Sequence, residues 1–247
     1  MITMTRLEKV IELIQETRPQ RIAVLTGAGI SAESGVPTFR GPQGLWRNFR
    51  PEQLASPEAF RRDPKLVWEW YDWRRELVRK CEPNAGHIAL AALEAARPDS
   101  TTVVTQNVDG LHPRAGSRNI IELHGNLYRA RCTQERTVIA FDAPLESIPP
   151  MCDCGAMLRP DIVWFGESLD SSNMDLATRT ASEADLLLIV GTSGVVYPAA
   201  GLVYVARGTT IEINPDETPL TEQCDWSLQM PSSEALPPLV DAILGSP

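Results

Sequence analysis

The sequence predicts an α/β protein in which helices cover both faces of a doubly wound parallel sheet, with a smaller lobe built from two insertions. Three observations in the 247 residues predict this fold. Short apolar, β-branched runs recur along the chain, and helical patterns lie between several of them. The first of these runs leads directly into a glycine-rich turn. Two stretches, 41–84 and 127–159, break the alternation and are the expected insertions.

The elements of the main sheet follow in chain order. Apolar residues from Leu7 to Ile14 share one face of a helix over 5–18, which Pro19 ends. A second helical pattern covers 87–96. The runs predicted to form strands are 21–26, 101–105, 119–122, 185–190 and 209–213.

The two insertions differ in composition. The first is rich in Pro, Trp and Arg and contains one strong helical run over 64–80, so we expect a helical insertion that covers the sheet. The second holds three of the five cysteines among several prolines. We expect it to form a small cysteine-containing lobe that a bound metal ion can stabilise.

Composition excludes several classes of protein. With a net charge of −9, the chain lacks the basic surface expected of a nucleic-acid-binding protein. The excess of acidic residues either favours basic partners or, more commonly, reflects a soluble surface. Apolar runs such as 186–190 are far shorter than the roughly 20 residues that span a membrane. Charged residues occur between Arg6 and Lys9, before any apolar run of signal-peptide length, so we expect no targeting segment. An odd number of cysteines indicates thiols or metal ligands rather than disulfides, so we expect a cytoplasmic protein.

The glycine-rich turn indicates a nucleotide. Residues 27–32, Gly-Ala-Gly-Ile-Ser-Ala, follow the first predicted strand and fit the G-x-G-x-x-G/A pattern. Such glycines let the backbone approach a pyrophosphate at a helix N-terminus, although similar turns also serve packing alone. The usual dinucleotide fingerprint continues with a second strand ending in Asp or Glu about 20 residues on. Residues 43–57 do not read as that strand, so a typical dehydrogenase site is not expected.

Polar side chains follow the second strand of the predicted sheet. Gln106, Asn107 and Asp109 come directly after 101–105, at the sheet edge where ligands bind, although Asn and Asp are also common in Asx turns. A positioned histidine is a natural general base for a ribose hydroxyl. The chain has three histidines, at 87, 112 and 124. A structural role is the usual one for a histidine, and we assign it to His87.

Six blocks of the sequence resemble the signatures of the sirtuin family. The first is Gly-Ala-Gly-Ile-Ser-Ala-Glu-Ser-Gly-Val-Pro-Thr-Phe-Arg-Gly at 27–41, and the second is Thr-Gln-Asn-Val-Asp-Gly-Leu-His at 105–112. The others lie at 122–125, 158–167, 191–193 and 213–215, in the family's order and over nearly the whole chain. The resemblance implies a single catalytic unit with a Rossmann-like NAD-binding lobe over 1–40, 85–126 and 160–247. The smaller lobe would combine the helical insertion, 41–84, with a zinc-ribbon-like insertion, 127–159.

The resemblance also assigns residues to the site. It implies that His124 is the catalytic base and that Asn107 is the second catalytic residue. Phe39 and Arg40 would lie on a loop that closes over the nicotinamide, and His112 would lie near the cofactor or be purely structural. The implied NAD-binding residues are Gly27, Ala28, Gly29, Ile30, Ser31, Ala32, Glu33, Gly35, Thr38, Phe39, Arg40, Trp46, Gln106, Asn107, Val108, Asp109, His124, Gly191, Thr192, Ser193, Asn214, Pro215, Asp216 and Ser232.

The implied reaction is removal of an acyl group from lysine with consumption of one NAD as co-substrate. The acyl oxygen attacks C1′ of the nicotinamide ribose, nicotinamide leaves, and His124 deprotonates a ribose hydroxyl that attacks the resulting imidate. Water then releases lysine and O-acyl-ADP-ribose. Rival classes are an NAD-linked oxidoreductase, for which no Tyr-x-x-x-Lys dyad is present, and a non-catalytic NAD-sensing module. Acylated-lysine proteins or peptides are the expected partners, with no nucleic acid and no membrane.

One helix carries a clue to the acyl group. Tyr71 and Arg74 share a helix face, and a phenol beside a guanidinium can bind a carboxylate, although an amphipathic helix with aromatic packing explains the same spacing. This pair resembles the pattern of family members active on succinyl- and malonyl-lysine, and Ala55 resembles the small residue of their acyl pocket. A plain deacetylase is the alternative. The peptide is expected to add a strand between 165–167 and 194–197. The implied substrate residues are Tyr71, Arg74, Ala55, Val163, Phe165, Gly166, Glu167 and Val195.

The cysteines depart from the family pattern of two C-x-x-C pairs in a closed zinc site. Cys132 and Cys154 fit that pattern, whereas Glu135 and Met151 occupy the other two places and Cys152 lies between. Three thiolates with Glu135 can hold zinc, or the lobe is free of metal. The sequence leaves both open, together with the oligomeric state.

Overall fold

The computed structural model describes residues 4–37, 51–142, 145 and 147–245. Four of the residues expected to contact NAD (Thr38, Phe39, Arg40 and Trp46) lie outside the described residues. Within the described part of the chain, no helix has the length and apolarity needed to cross a membrane.

Six parallel strands form the main sheet: β1 (Ile22–Thr26), β2 (Thr101–Thr105), β3 (Ile120–Glu122), β7 (Leu186–Val190), β8 (Thr209–Ile213) and β9 (Trp226–Leu228). Their order across the sheet is β3-β2-β1-β7-β8-β9. All residues of β1 and of β7 are buried, as expected for central strands covered on both faces. The predicted doubly wound parallel sheet is therefore confirmed.

Helices cover the two faces of this sheet. On one face, α1 (Arg6–Thr17), α6 (Ala85–Ala96) and α10 (Ser232–Leu244) pack against side chains such as Val24. On the other face, α8 (Ser171–Glu183) and α9 (Leu202–Val205) pack against Leu25, the next residue of β1. Two short helices, α2 (Ala28–Ala32) and α7 (Leu111–Ala115), follow β1 and β2 at the carboxyl edge of the sheet.

A second group of elements comes from the two insertions. Three helices, α3 (Pro51–Leu54), α4 (Pro57–Arg62) and α5 (Pro64–Arg79), pack against an antiparallel sheet of β5 (Val138–Ala140), β4 (Gly125–Cys132) and β6 (Leu158–Ile162). Trp68 of α5 is buried in their shared core, and its indole N–H donates to the Leu158 carbonyl at 2.8 Å. Caps set the helix starts, because Ser56 and Asp63 each precede a proline at the first helical position. The proposed division of the chain into two lobes stays a prediction.

Candidate active site

The glycine-rich turn contacts the turn that follows β7. The Gly29 N–H donates to the Gly191 carbonyl at 2.8 Å. A Cβ atom on Gly29 would lie 2.6 Å from Gly191 Cα, and one on Gly27 would lie 2.8 Å from the Gly191 carbonyl oxygen. Both glycines are therefore required by close packing of the two turns, whatever ligand the turn binds.

Polar side chains at the ends of the neighbouring strands meet at the same edge. The Gln106 amide donates to Thr192 Oγ1 at 3.0 Å, and the Asn214 amide donates to the Thr192 carbonyl at 3.0 Å. Three further residues of the predicted set are exposed near these contacts in the sequence: Ser193, Pro215 and Asp216. The carboxyl ends of β1, β2, β7 and β8 thus bring together residues from four separate sequence blocks, as the sheet topology requires.

A narrow cavity lies where α2, α5 and the segment after β2 come together. It joins the predicted NAD turn and the predicted polar cluster to α5. Its lining is Ala28, Ser31, Val36, Pro37, Arg74, Val78, Asn107, Val108 and Asp109. Arg74, which the sequence assigned to the acyl group, therefore faces the same space as residues assigned to NAD.

Two carboxyl-edge side chains of this cavity are held in place. The Asn107 amide donates to the Gly27 carbonyl at 3.0 Å and contacts Ser31 Oγ at 3.2 Å. Asp109 accepts from the Leu111 N–H at 2.9 Å, which is the Asx contact that the sequence left as an alternative. Burial raises the pKa of the Asp109 carboxyl, and the nearby hydrogen bonds and Arg74 oppose that rise.

His124 is oriented as a base. It follows β3, and its Nδ1 lies 2.9 Å from the Gln106 carbonyl oxygen, so this nitrogen carries the proton. Nε2 is then left with its lone pair. Burial lowers the pKa of His124, which favours the neutral ring. The His124 carbonyl accepts from the Val163 N–H at 3.0 Å, so the segment expected to bind substrate begins beside the His124 backbone.

The other two histidines lie against each other in the interior. The ring centroids of His87 and His112 are 4.9 Å apart, and His112 Nε2 lies 3.0 Å from Thr26 Oγ1. Burial lowers the pKa of His87 to about 4 and that of His112 to about 3, so both rings are neutral. Neither ring is among the described residues that line the cavity, and both are buried.

Glu33 and Ser232 contact each other, and their assignment to NAD stays a prediction. The Glu33 carboxylate accepts from the Ser232 N–H at 2.9 Å and the Ser232 hydroxyl at 2.7 Å, and it also accepts from Ser233. It thereby binds the first turn of α10 to the end of α2. Sequence reasoning, which placed Glu33 and Ser232 at the cofactor, missed this contact because 199 residues separate the partners.

Two hydrogen bonds join the helical insertion to the expected substrate segment. The Trp164 indole N–H donates to Tyr71 Oη at 2.9 Å, and the Phe165 N–H donates to the Ala55 carbonyl at 3.0 Å. Arg74 Cζ lies 5.6 Å from the centroid of the Tyr71 ring, and both side chains are buried. Burial raises the pKa of Tyr71 to about 12, so its hydroxyl keeps its proton. Trp164, which the sequence pattern does not single out as a site residue, thus contacts Tyr71 directly.

The remaining substrate candidates lie on the surface. Phe165 and Val195 are large apolar side chains with 53% and 43% of their area exposed. Gly166, which follows Phe165 in the turn after β6, has φ +87°, a conformation that favours glycine. Glu167 is held by two Arg159 bonds of 2.6 and 2.9 Å and by the Trp164 N–H, so its carboxylate fixes this turn.

Four side chains of the second insertion form a candidate metal site. The ligand atoms of Cys132, Glu135, Cys152 and Cys154 all lie within 4.8 Å of one another, and Cys132 Sγ is 3.5 Å from Cys154 Sγ. Thiolates bound tetrahedrally to zinc are about 3.8 Å apart, so this donor set fits zinc. Met151, which occupies the place of a cysteine in the family pattern, is 53% exposed and lies outside the cluster.

We expect the purified protein to carry about one zinc per chain and to melt at a lower temperature after chelation, because structural zinc stabilises the folded state. Cys152→Ala should lower the zinc content, whereas Cys224→Ala, which changes a thiol outside the cluster, should not. Elemental analysis and thermal melts measure both. A stable, active preparation without metal would contradict the site.

Comparison with known proteins identifies the family. A profile of the Sir2 family matches residues 27–198. An NAD-dependent protein deacylase of Aquifex aeolicus is 52% identical over 89% of this chain and 94% of its own length. NAD-dependent protein deacylase 2 of Pyrobaculum aerophilum is 51% identical over 95% of this chain and 94% of its own.

Solved structures agree with these relatives. A Sir2 homologue in complex with NAD has a TM-score of 0.88 at 48% identity, over 96% of this chain and 93% of that one. A Sir2 complex with a p53 peptide and NAD⁺ has a TM-score of 0.81 at 31% identity, over 95% of this chain and 96% of that one. The chain therefore belongs to the Sir2 family, the sirtuins, as its signature blocks predict.

Proposed function

We propose that this protein removes acidic acyl groups, such as succinyl and malonyl, from lysine side chains in preference to acetyl groups. As a Sir2 family member whose close relatives are NAD-dependent protein deacylases, it is an enzyme of that kind. NAD is its co-substrate, in keeping with the NAD complex of a structural neighbour. The observation that supports the acyl preference is the buried Arg74 guanidinium, which faces the cavity beside Asn107 and Asp109.

A buried guanidinium favours an anionic ligand. Burial lowers the pKa of Arg74, but an arginine stays protonated in proteins, so the cavity contains a fixed positive charge. Asp109 is a carboxyl group that acts electrostatically on Arg74, and burial raises the pKa of that carboxyl. The carboxylate of a succinyl or malonyl group would bring a further anion to a cation that is already desolvated.

Tyr71 completes a site for a carboxylate. Its oxygen accepts the Trp164 indole N–H, so its own hydrogen is directed to another acceptor. A phenol donor and a guanidinium then lie on one face of α5, within reach of one carboxylate. Ala55, which holds the Phe165 N–H, leaves room for a longer acyl chain than a bulky side chain would.

The chemistry assigned to His124 is compatible with this arrangement. Its Nδ1–H is held by the Gln106 carbonyl, so Nε2 can accept a proton from a ribose hydroxyl without reorientation. The hydrogen bond from the Val163 N–H to the His124 carbonyl supports a position of the acyl-lysine segment close to this residue. An acylated peptide is the expected partner, as in the p53 peptide complex of a structural neighbour.

A plain deacetylase is the alternative function, and one observation favours it. Arg74 acts electrostatically on Asp109. In that case the guanidinium serves to position Asp109, and loss of the charge would impair every acyl substrate alike.

Replacing Arg74 with Met should separate the two functions. Loss of a charge-assisted contact in a partly dry pocket costs about 1.5–3 kcal/mol, so KM for a succinyl-lysine peptide should rise roughly ten- to a hundredfold. KM for the matched acetyl-lysine peptide should change little, because acetyl has no carboxylate. Steady-state kinetics with mass-spectrometric detection of both products measures the ratio.

Arg79→Met is the matched control, because Arg79 lies on the same helix and pairs with Glu76 and Asp142 away from the cavity. It should leave the ratio of the two KM values unchanged. Tyr71→Phe should shift the ratio in the same direction as Arg74→Met, more weakly, and should also lower the melting temperature because Trp164 loses its acceptor. If folded Arg74→Met protein lost activity equally on the succinyl-lysine and acetyl-lysine peptides, the acidic-acyl preference would be rejected and a plain deacetylase would remain.

A further inference from the structure

A second cleft lies outside the active-site cavity, between α4, β4 and the segment that follows β6. Its volume is about 330 Å³, which is the size of a small-ligand or side-chain site. Four arginines line it: Arg61, Arg131, Arg136 and Arg159. A cluster of four guanidinium groups is notable in a chain whose net charge is −9.

Three of these arginines are partly neutralised by a carboxylate. Arg159 binds Glu167 through two bonds, and Arg131 binds Asp161 at 2.6 Å. Arg61 binds the exposed Glu58 at 2.6 Å through Nη2. In each pair at least one guanidinium hydrogen is left over, because a guanidinium has five donors.

Arg136 supplies the surplus charge of the cleft. In the part of the chain that the structure describes, its guanidinium has no ion-pair partner, and its side chain is exposed. It lies in a tight turn with φ +61° after β4, and its N–H donates to the Cys132 carbonyl at 3.1 Å. The backbone thus holds this cation at the cleft.

The floor of the cleft is preformed. The Arg159 guanidinium stacks on the Trp164 ring with Cζ 3.5 Å from the centroid, and Phe60 packs against that ring at 5.4 Å. Stacking and ion pairing fix the Arg159 fork in one orientation, so little side-chain entropy is lost when an anion binds.

The cleft adjoins the segment proposed to bind the peptide. Trp164 and Glu167 line the cleft, and Phe165, between them in the sequence and expected to contact substrate, is exposed. A peptide extended along this segment advances about 3.3 Å per residue. A side chain a few residues from the acyl-lysine therefore passes the mouth of the cleft.

We propose that this arginine-lined cleft binds an acidic side chain of the substrate protein, two to four residues from the acyl-lysine, and so selects for acidic flanking sequence. The inference rests on the proposed deacylase function, but it does not depend on which acyl group is preferred. Carboxylate recognition by arginine forks is the chemistry involved.

The test compares two peptides that carry the same acyl-lysine and differ only in having Asp or Asn at flanking positions. Wild-type KM should be lower for the Asp peptides. In the double variant Arg61→Gln with Arg136→Gln, KM for the Asp peptides should rise roughly three- to tenfold, while kcat and the Asn peptides change little. Arg62→Gln with Arg179→Gln removes the same charge from exposed positions outside the cleft lining and should keep the preference.

Every other outcome overturns the proposal. Equal KM for Asp and Asn peptides in the wild type would show that the cleft does not read flanking charge. An unchanged preference in the Arg61/Arg136 variant would locate the preference elsewhere. Inhibition by inorganic phosphate, at matched ionic strength, that depends on these arginines and affects Asp and Asn peptides equally would make the cleft a site for free anions. The test can be made with either acetyl-lysine or succinyl-lysine peptides, because the acyl group is the same in both members of a pair. Failure of the Arg74 prediction therefore does not affect it.

Discussion

Replacing His124 with alanine should slow deacylation by roughly two orders of magnitude or more, because general-base catalysis contributes on that scale. The ring is oriented for this role, with Nδ1–H bound to the Gln106 carbonyl and Nε2 left as the acceptor. NAD binding should remain measurable, since the turn at 27–32 and the carboxyl ends of β7 and β8 are untouched. Single-turnover kinetics and calorimetric NAD titration measure the two effects separately.

The pH dependence of the wild type gives an independent check on the same residue. Burial lowers the pKa of His124, so the neutral, basic form persists below the ordinary histidine pKa. The deacylation rate should therefore fall as the pH drops through that lowered pKa, and the fall should be absent from the residual activity of His124→Ala. Turnover near the wild-type rate in a folded variant would contradict the assignment of the base.

Acid should destabilise the fold through the other two histidines. In the folded state the pKa values of His87 and His112 are about 4 and about 3, whereas an unfolded histidine has about 6.5. The unfolded chain binds protons first, so the stabilisation is complete above pH 6.5 and is lost as the pH falls toward 4 and 3. At pH 5 each ring should lower the free energy of unfolding by about 2 kcal/mol, so the two together should lower it by about 4 kcal/mol.

Urea unfolding at pH 7 and at pH 5 measures this loss, which is a large share of the 5–15 kcal/mol typical of a domain. His124, whose pKa is also lowered, adds to the loss. The measurement is therefore made in the His124→Ala background. Substitution of His112 with Gln should reduce the difference between pH 7 and pH 5 by about half, whatever its effect on stability at pH 7. An unchanged difference would show that the buried ring is not the titrating group.

Much of the main sheet follows from local sequence, and its exceptions have physical causes. Runs such as Leu186–Val190 are predicted because strands buried on both faces need continuous apolar residues. Strand β9 is only three residues long and contains Ser227, whose hydroxyl donates to the buried Glu212. Its pairing is set by β8 rather than by its own pattern.

Helix α10 shows tertiary packing overriding a local signal. Pro237 and Pro238 lie inside it, and each removes an amide donor, so the sequence does not predict a helix there. Burial of Leu236 and Leu239 against the sheet and its helices compensates for the lost bonds.

The candidate site was predictable where it depends on topology. Gln106 and Thr192 meet because parallel strands present their carboxyl ends at one edge. The Trp164 bond to Tyr71 joins residues 93 positions apart, and no local pattern encodes it. The metal cluster was predictable only in part. Spacing identified Cys132 and Cys154, but it could not show that Cys152 and Glu135 lie beside them.

The central place of β1 has a consequence for synthesis of the chain. Strand Ile22–Thr26 pairs with Thr101–Thr105 on one side and with Leu186–Val190 on the other. A growing polypeptide must therefore carry this strand, whose residues are all buried in the folded protein, with one edge unpaired until the ribosome has added more than 160 further residues. At about 5–20 residues per second this lasts on the order of ten seconds or more. The half-made chain is thus the form most exposed to aggregation, and the nascent enzyme is the form that benefits most from a chaperone.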